Sequence, residues 1–269
     1  MSTVPALRGP AVPDIRLTWG HVVASELRRL RTLGSTWWFT AILVLLVALV
    51  GTFPAIGVAV HALDGPPDEA GPLGGALGGI QAAGILVAAF GVLAASAEYA
   101  TGMVAATFTA VPRRSTVVVA RAAAVGAVVL LPSLVLTFGT FGIVRVLLGP
   151  AGAALPLTTE VAIALAGAAV GLAVLAMLGV AAGWLLRSTA GGITAVVVLV
   201  HMLPAVGLIL PAAVADRVLP WLPGNALGAI MAPGHVQGMP PAWASLAALV
   251  AYVAAALALA AAVVRRRDV

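Results

Sequence analysis

Six long apolar runs, set apart by short breaks rich in charge, proline or glycine, organise this chain of 269 residues. A helix needs about 20 apolar residues to cross the hydrocarbon core of a bilayer. The runs meet that length over 38–60, 78–97, 117–144, 161–186, 191–214 and 242–264. The pattern predicts an all-α polytopic membrane protein with six transmembrane helices. In lipid, where no water is at hand for backbone polar groups, a helix satisfies them within itself.

Ahead of the first run the pattern changes twice. Residues 1–17 hold Pro5, Pro10, Pro13 and Gly9, the composition of a disordered tail. From Thr18, Val23, Leu27 and Leu30 recur at helical spacing, while Ser25, Glu26, Arg28, Arg29 and Thr32 occupy other faces. This predicts an amphipathic helix over 18–34 lying along the cytoplasmic leaflet. Trp37 and Trp38 follow it, as aromatic residues do at a membrane interface. Two readings stand for the segment. One is a basic flank that only orients the first span; the other is an interfacial helix that braces a cytoplasmic partner through Glu26, Arg28 and Arg29. The polar, arginine-bearing start lacks the short apolar core of a cleavable leader. The tail is therefore expected to remain, with 18–269 forming one transmembrane domain.

Composition agrees with the pattern: 62% of residues are apolar and 9% charged, with a mean hydropathy of +1.14. Charge then orients the spans, because cytoplasmic loops retain arginine and lysine. With the N-terminus inside, Arg8, Arg16, Arg28, Arg29, Arg31, Arg113, Arg114, Arg121, Arg187, Arg265, Arg266 and Arg267 all fall on the cytoplasmic side. Only Arg145 and Arg217 fall outside, in loops shared with Asp64, Asp68, Glu69, Glu160 and Asp216. Both termini are then cytoplasmic, in a multi-pass protein of the cell membrane. The pI of about 11.2 reflects this orientation signal and calls for no nucleic-acid partner.

Two absences narrow the chemistry. The chain has no lysine, so it holds neither a phosphate-loop lysine nor a Schiff-base amine. It has no cysteine, which removes disulfides, thiolate metal sites and thiol nucleophiles. His21, His61, His201 and His235 are far apart, without metal-ligand spacing to carboxylates. The chain is therefore expected to be neither a phosphate-loop ATPase by itself nor a membrane metalloenzyme, with no metal site.

The most informative break runs from Glu98 to Arg121 and carries Glu98, Tyr99, Gly102, Thr107, Pro112, Arg113 and Arg114. Glu98 stands where an apolar helix meets water and can pair with a nearby arginine or accept backbone bonds at a helix start. Gly102 permits a turn, and Pro112 ends a short helical stretch before the arginines. Such a loop is either a purely structural connection or a surface that docks a partner in the aqueous phase. Within the spans, Gly167, Gly171, Gly179 and Gly183 lie at four-residue spacings that let another backbone approach, within the protomer or across a dimer. Pro54, Pro132, Pro204 and Pro211 are candidate kinks. His201 is the one strongly ionisable side chain expected near a bilayer midplane. It is either a candidate for the substrate path or a histidine satisfied across a helix pair. The segment 216–241 combines proline and glycine with Leu219, Trp221, Leu222, Leu227, Ile230 and Met231. It either re-enters the outer leaflet or rests on the membrane through Trp221.

Taken in order, the Ser25-to-Arg28 helix, the Ser35-to-Trp38 start of the first span, the Glu98-to-Arg114 loop and Leu222-Pro223-Gly224-Asn225-Ala226 resemble the type-2 ABC exporter permeases, above all their actinobacterial members. The resemblance covers nearly the whole chain; its motifs are moderately specific as an ordered set and weak singly. It implies six transmembrane helices per protomer, a dimer with a second copy or a paralogous permease, and a separate ATP-binding subunit on the cytoplasmic face. ATP and magnesium would belong to that subunit, with no cofactor in this chain. It further implies a coupling loop or helix between the second and third spans, so that Glu98, Tyr99, Gly102, Thr107, Arg113 and Arg114 would meet the ATPase. A re-entrant segment would cap the exit before the last helix. The expected function is export of an apolar or amphipathic substrate by alternating access. The alternatives are a membrane anchor or regulatory subunit for a cytoplasmic partner and, behind it, an ATP-independent carrier.

Overall fold

The computed structural model describes residues 18–61, 70–103, 109, 114–147 and 156–266. All regular structure among them is helical. A short helix α1 (Trp19–Thr32) precedes the long helices α2 (Gly34–His61), α3 (Ala70–Thr101), α4 (Arg114–Leu147) and α5 (Thr159–Leu186). Helix α6 (Thr189–Val197) continues through a π turn (Val198–Met202) into a 3-10 stretch (Leu203–Ile209). Then follow α7 (Ala212–Val218), a 3-10 turn (Leu219–Trp221), α8 (Pro223–Met231) and the long α9 (Ala242–Arg266). Among the described residues six segments are long and apolar enough to cross a membrane. The chain is a multi-pass membrane protein.

Helix α5 is the most enclosed of the six segments and packs chiefly on α3 and α4, with α8 and α9 beside it. Lipid offers apolar side chains as good a solvent as a neighbouring helix does, so close backbone packing by small residues holds such helices together. Gly179 meets the carbonyl of Ala88 on α3, and Gly91 on α3 meets the carbonyl of Ala176, so a methyl at either place would run into backbone. Gly183 continues this seam against Val92, while Gly167 and Gly171 face Ile230 and Leu227 of α8. All four glycines of the α5 series thus pack against helices of their own chain.

The helices alternate in direction, and contacts at their ends show which ends lie together. The C-terminal end of α3 bonds to the start of α6, with Ser96 Oγ 2.8 Å from Thr189 Oγ1. The start of α4 meets the end of α9, where Arg114 Nη1 donates to the Val264 carbonyl at 3.3 Å. Helix α1 packs on α4 at that same end. Arg28, Arg29, Arg31, Arg114, Arg121, Arg187, Arg265 and Arg266 are therefore gathered at one end of the bundle, with Arg145 and Arg217 at the other.

The helices depart from the predicted spans in two instructive places. Helix α3 carries on past the apolar run, through Glu98 to Thr101, because the pairing described below lets Glu98 remain inside the bundle. The fifth span was expected as one helix over 191–214, but regular α-helix ends at Val197 and the segment closes at Ile209. Pro204 has no N–H to offer the carbonyl four residues back, and its ring crowds that carbonyl. The π turn and the 3-10 stretch accommodate this. The carbonyl in question belongs to Val200, and Gly224 at the start of α8 is seated directly on it. Elsewhere α4 runs uninterrupted through Pro132, and Pro211 caps α7.

Candidate functional site

Helix α1 begins at an N-cap, Thr18, whose hydroxyl accepts from the His21 N–H at 3.4 Å. Its enclosed stripe is Val22, Glu26 and Leu30, positions four apart and so on one face. The sequence pattern had put Glu26 on a polar face and Val23 and Leu27 on the apolar one. The structure turns the helix so that Glu26 points inward and Val23 and Leu27 lie at its margins. The reason is Arg121.

Arg121 lies two turns into α4 and is 1% exposed. Its guanidinium grips Glu26 with both edges, Nε to Oε2 at 3.0 Å and Nη2 to Oε1 at 2.8 Å. Nη2 also donates to Glu98 Oε1 at 2.7 Å, and Nη1 to the Ala94 carbonyl at 3.3 Å. Glu98, 2% exposed, accepts on the same Oε1 from Arg29 Nη1. Arg29 in turn stands 4.0 Å from Glu26, one turn away on α1. Two guanidinium and two carboxylate groups from α1, α3 and α4 thus form a closed set whose formal charges cancel. The planar fork of arginine is what permits the two-edged grip. Removing charges from water costs several kcal/mol per ion, roughly, and such a set persists only when its members are paired and hydrogen-bonded.

A layer of aromatic groups backs the ions. The Trp184 ring, buried near the end of α5, stands 5.3 Å from the Arg121 guanidinium carbon. Tyr99 meets Trp184 edge-on, with ring centres 5.6 Å apart and planes at 79°. Arg187 lies over Tyr99 at 5.0 Å. Arg187 ends α5 in the left-handed region at φ 52°, its N–H bonded to the Gly183 carbonyl at 3.0 Å. Cations held over aromatic faces are stabilised by the ring quadrupole. The charged centre is thereby joined to α5 as well.

The residues singled out by sequence divide into three groups. Glu26, Arg29 and Glu98 come together in the ion cluster, and Tyr99 belongs to the aromatic layer beside it. Arg28 is exposed on α1, Gly102 turns the chain away after α3 at φ 70°, and Arg114 opens α4 against the end of α9. Thr107 and Arg113 lie outside the described residues, as do most of the connection between α3 and α4 and the tail 1–17. His201 is apart from these groups, in the π turn, with Nε2 beside Gly84 of α3.

The centre of the site, Arg121, was read in the sequence only as an orientation charge. The available signal was its place: an arginine inside the run Val117-to-Val144 with nothing polar beside it, which is tolerated only with partners. Trp184 and Arg187 were missed for the same reason, since their partners are remote in sequence. Chemically the cluster is a tie. Its carboxylates serve as acceptors, and among the described residues no three His, Asp or Glu side chains are grouped as a metal ion requires. No family model matches the chain, and no curated protein matches it.

Proposed function

We propose that the chain is the permease subunit of an ATP-driven exporter, working as a dimer with a separate ATPase docked at the arginine-rich end. The observation that carries the reading is the buried bridge from Arg121 to Glu26 and Glu98. It locks α1 and the end of α3 to the start of α4, on either side of the connection 102–113. A partner that pulled on that connection or on α1 would move three helices together, and through Trp184 a fourth. Rigid elements of this kind are what alternating access needs, because packed helices rock as bodies. The ordered motifs of the sequence support the same reading, and the lack of lysine accords with nucleotide chemistry in another subunit.

In this reading Glu26, Glu98 and Arg29 transmit force inside the permease. The contacts with the ATPase fall to exposed groups such as Arg28, and to Thr107 and Arg113 in the connection. The arginine-rich end faces the cytoplasm by the positive-inside rule. α1 is the interfacial helix, with Trp19, Trp37 and Trp38 exposed around it. At the far end, α7 and α8 re-enter the outer leaflet and cap the path. The cargo is apolar or amphipathic, and His201 lines its route.

The test is co-purification of the chain with the ATPase encoded nearest to it, followed by ATP hydrolysis in lipid nanodiscs. A stable complex with vanadate-sensitive hydrolysis is expected, and Arg28→Glu should weaken it several-fold while leaving membrane insertion intact. Absence of a complex with every ATPase of the source organism would overturn the exporter in favour of the membrane anchor.

A further inference from the structure

Beside the ion cluster, a cleft of about 740 Å³ opens between α1, α2 and α3. That is within the range of clefts that take small-molecule ligands. Its floor is a stacked pair, Phe39 and Phe90, with ring centres 4.0 Å apart and planes at 14°. Leu86, Ala89, Leu93 and Ile42 make its walls. Leu93 and Ile42 are each 48% exposed and Trp38 at the rim is 73% exposed, and all three belong to candidate membrane spans. The cleft therefore opens sideways, toward the lipid that surrounds those spans.

Its other end is polar. Arg29, Ser35, Thr36 and Thr101 line it, together with Glu26 and the Arg121 that holds it. Thr36 is 7% exposed, yet its hydroxyl has no hydrogen-bond partner among the described residues. A buried hydroxyl left without a partner is costly; Thr36 lines the cleft while its oxygen is covered, so a ligand head reaches the hydroxyl once the side chain turns about χ1. Arg29 reaches Glu98 and Glu26 through Nη1, and the other edge of its guanidinium has no protein acceptor among the described residues. Arg28 and Arg31 are exposed on the same helix and give this end a local excess of positive charge. An apolar slot closed at one end by an arginine and a hydroxyl suits one class of ligand: an acyl chain with an anionic, acceptor-rich head.

We propose that the α1–α2–α3 cleft is a binding site for an anionic phospholipid, with one acyl chain along Phe39 and Phe90 and the phosphate at Arg29 and Thr36. Juxtamembrane arginine attracts such lipids to the leaflet it faces, and the cleft supplies the specific seat. This site stands independently of the exporter reading, since it requires only that the helices span a bilayer. It makes α1 sensitive to the lipid around it, because the phosphate and Glu98 would share Arg29.

The experiment is native mass spectrometry of the full chain, titrated with phosphatidylglycerol and separately with phosphatidylcholine. Thermal stability without added lipid is recorded alongside. Expected is a retained phosphatidylglycerol, with phosphatidylcholine bound at least about five-fold more weakly. Thr36→Val, which keeps shape and removes the hydroxyl, should weaken phosphatidylglycerol about five-fold, the worth of one hydrogen bond. The same change should leave lipid-free stability equal or higher. Ala97→Trp, at an exposed position on the cleft wall, should abolish retention. Equal binding of the two lipids, or unaltered phosphatidylglycerol binding in both variants, would overturn the proposal. So would an Ala97→Trp that breaks a dimer and leaves lipid retention untouched, since a second copy of the chain would then be the occupant.

Discussion

At the scale of single residues, the decisive group is Arg121, and its neighbours define how it should respond to change. Glu26 and Glu98 are nearly as buried as it is, so removing the arginine alone leaves two buried carboxylates with only the partly exposed Arg29 to compensate them. Arg121→Met is expected to destabilise the protein by about 3–5 kcal/mol, the range found when one partner of a buried pair is deleted. Pairing it with Glu26→Gln should recover much of that loss, because Glu98 retains Arg29. A thermal-unfolding double-mutant cycle in detergent measures the coupling, and simple additivity would show that the bridge does not hold α1. Arg121→Lys should behave as a loss too, since an ammonium lacks the fork that spans both oxygens of Glu26. Glu98 was legible in the sequence as a carboxylate that pairs with an arginine or accepts backbone hydrogen bonds at a helix start. Which arginine was not, because Arg121 lies 23 residues away and Arg29 lies 69 away, and apolar periodicity says nothing of such pairings.

At the scale of elements, apolar run length made the six spans legible, while their ends and interruptions depended on partners. The end of α3 moved outward because Glu98 is compensated, and the fifth span broke because Pro204 frees the Val200 carbonyl for α8. The series of glycines on α5 was visible in sequence, but its division was not. Gly179 and Gly183 serve α3, and Gly167 and Gly171 serve α8. Substitution separates these contacts from glycine's backbone effects. Gly179→Leu and Gly224→Val should each cost about 1–3 kcal/mol by overpacking, since each would drive a side chain into a carbonyl. Gly139→Ala, where a methyl meets nothing within 4 Å among the described residues, should be neutral or slightly stabilising. Chemical-denaturation midpoints in one detergent compare the three. An equal effect at Gly139 and Gly179 would remove the close-packed seam between α3 and α5 from the account.

At the scale of the whole molecule, the described arginines other than Arg145 and Arg217 collect at one end of the bundle, and the positive-inside rule predicts that this end is cytoplasmic. The absence of cysteine allows a direct check by single-cysteine labelling without first removing native thiols. Arg28→Cys and Arg266→Cys should react with a membrane-impermeant maleimide only after the cells are opened, and His235→Cys in intact cells. The reverse pattern would invert the molecule and place the cleft and the ion cluster in the outer half. The central claim is that the cluster carries force between this chain and an ATPase. Its most direct test is ATP hydrolysis by the purified complex in nanodiscs, wild type against Glu26→Gln with Arg121→Met. The account predicts that the paired variant still binds the ATPase but loses most of the acceleration that the wild-type permease confers. Unchanged acceleration, in a variant shown to be folded and complexed, would contradict it and reduce the cluster to a structural tie.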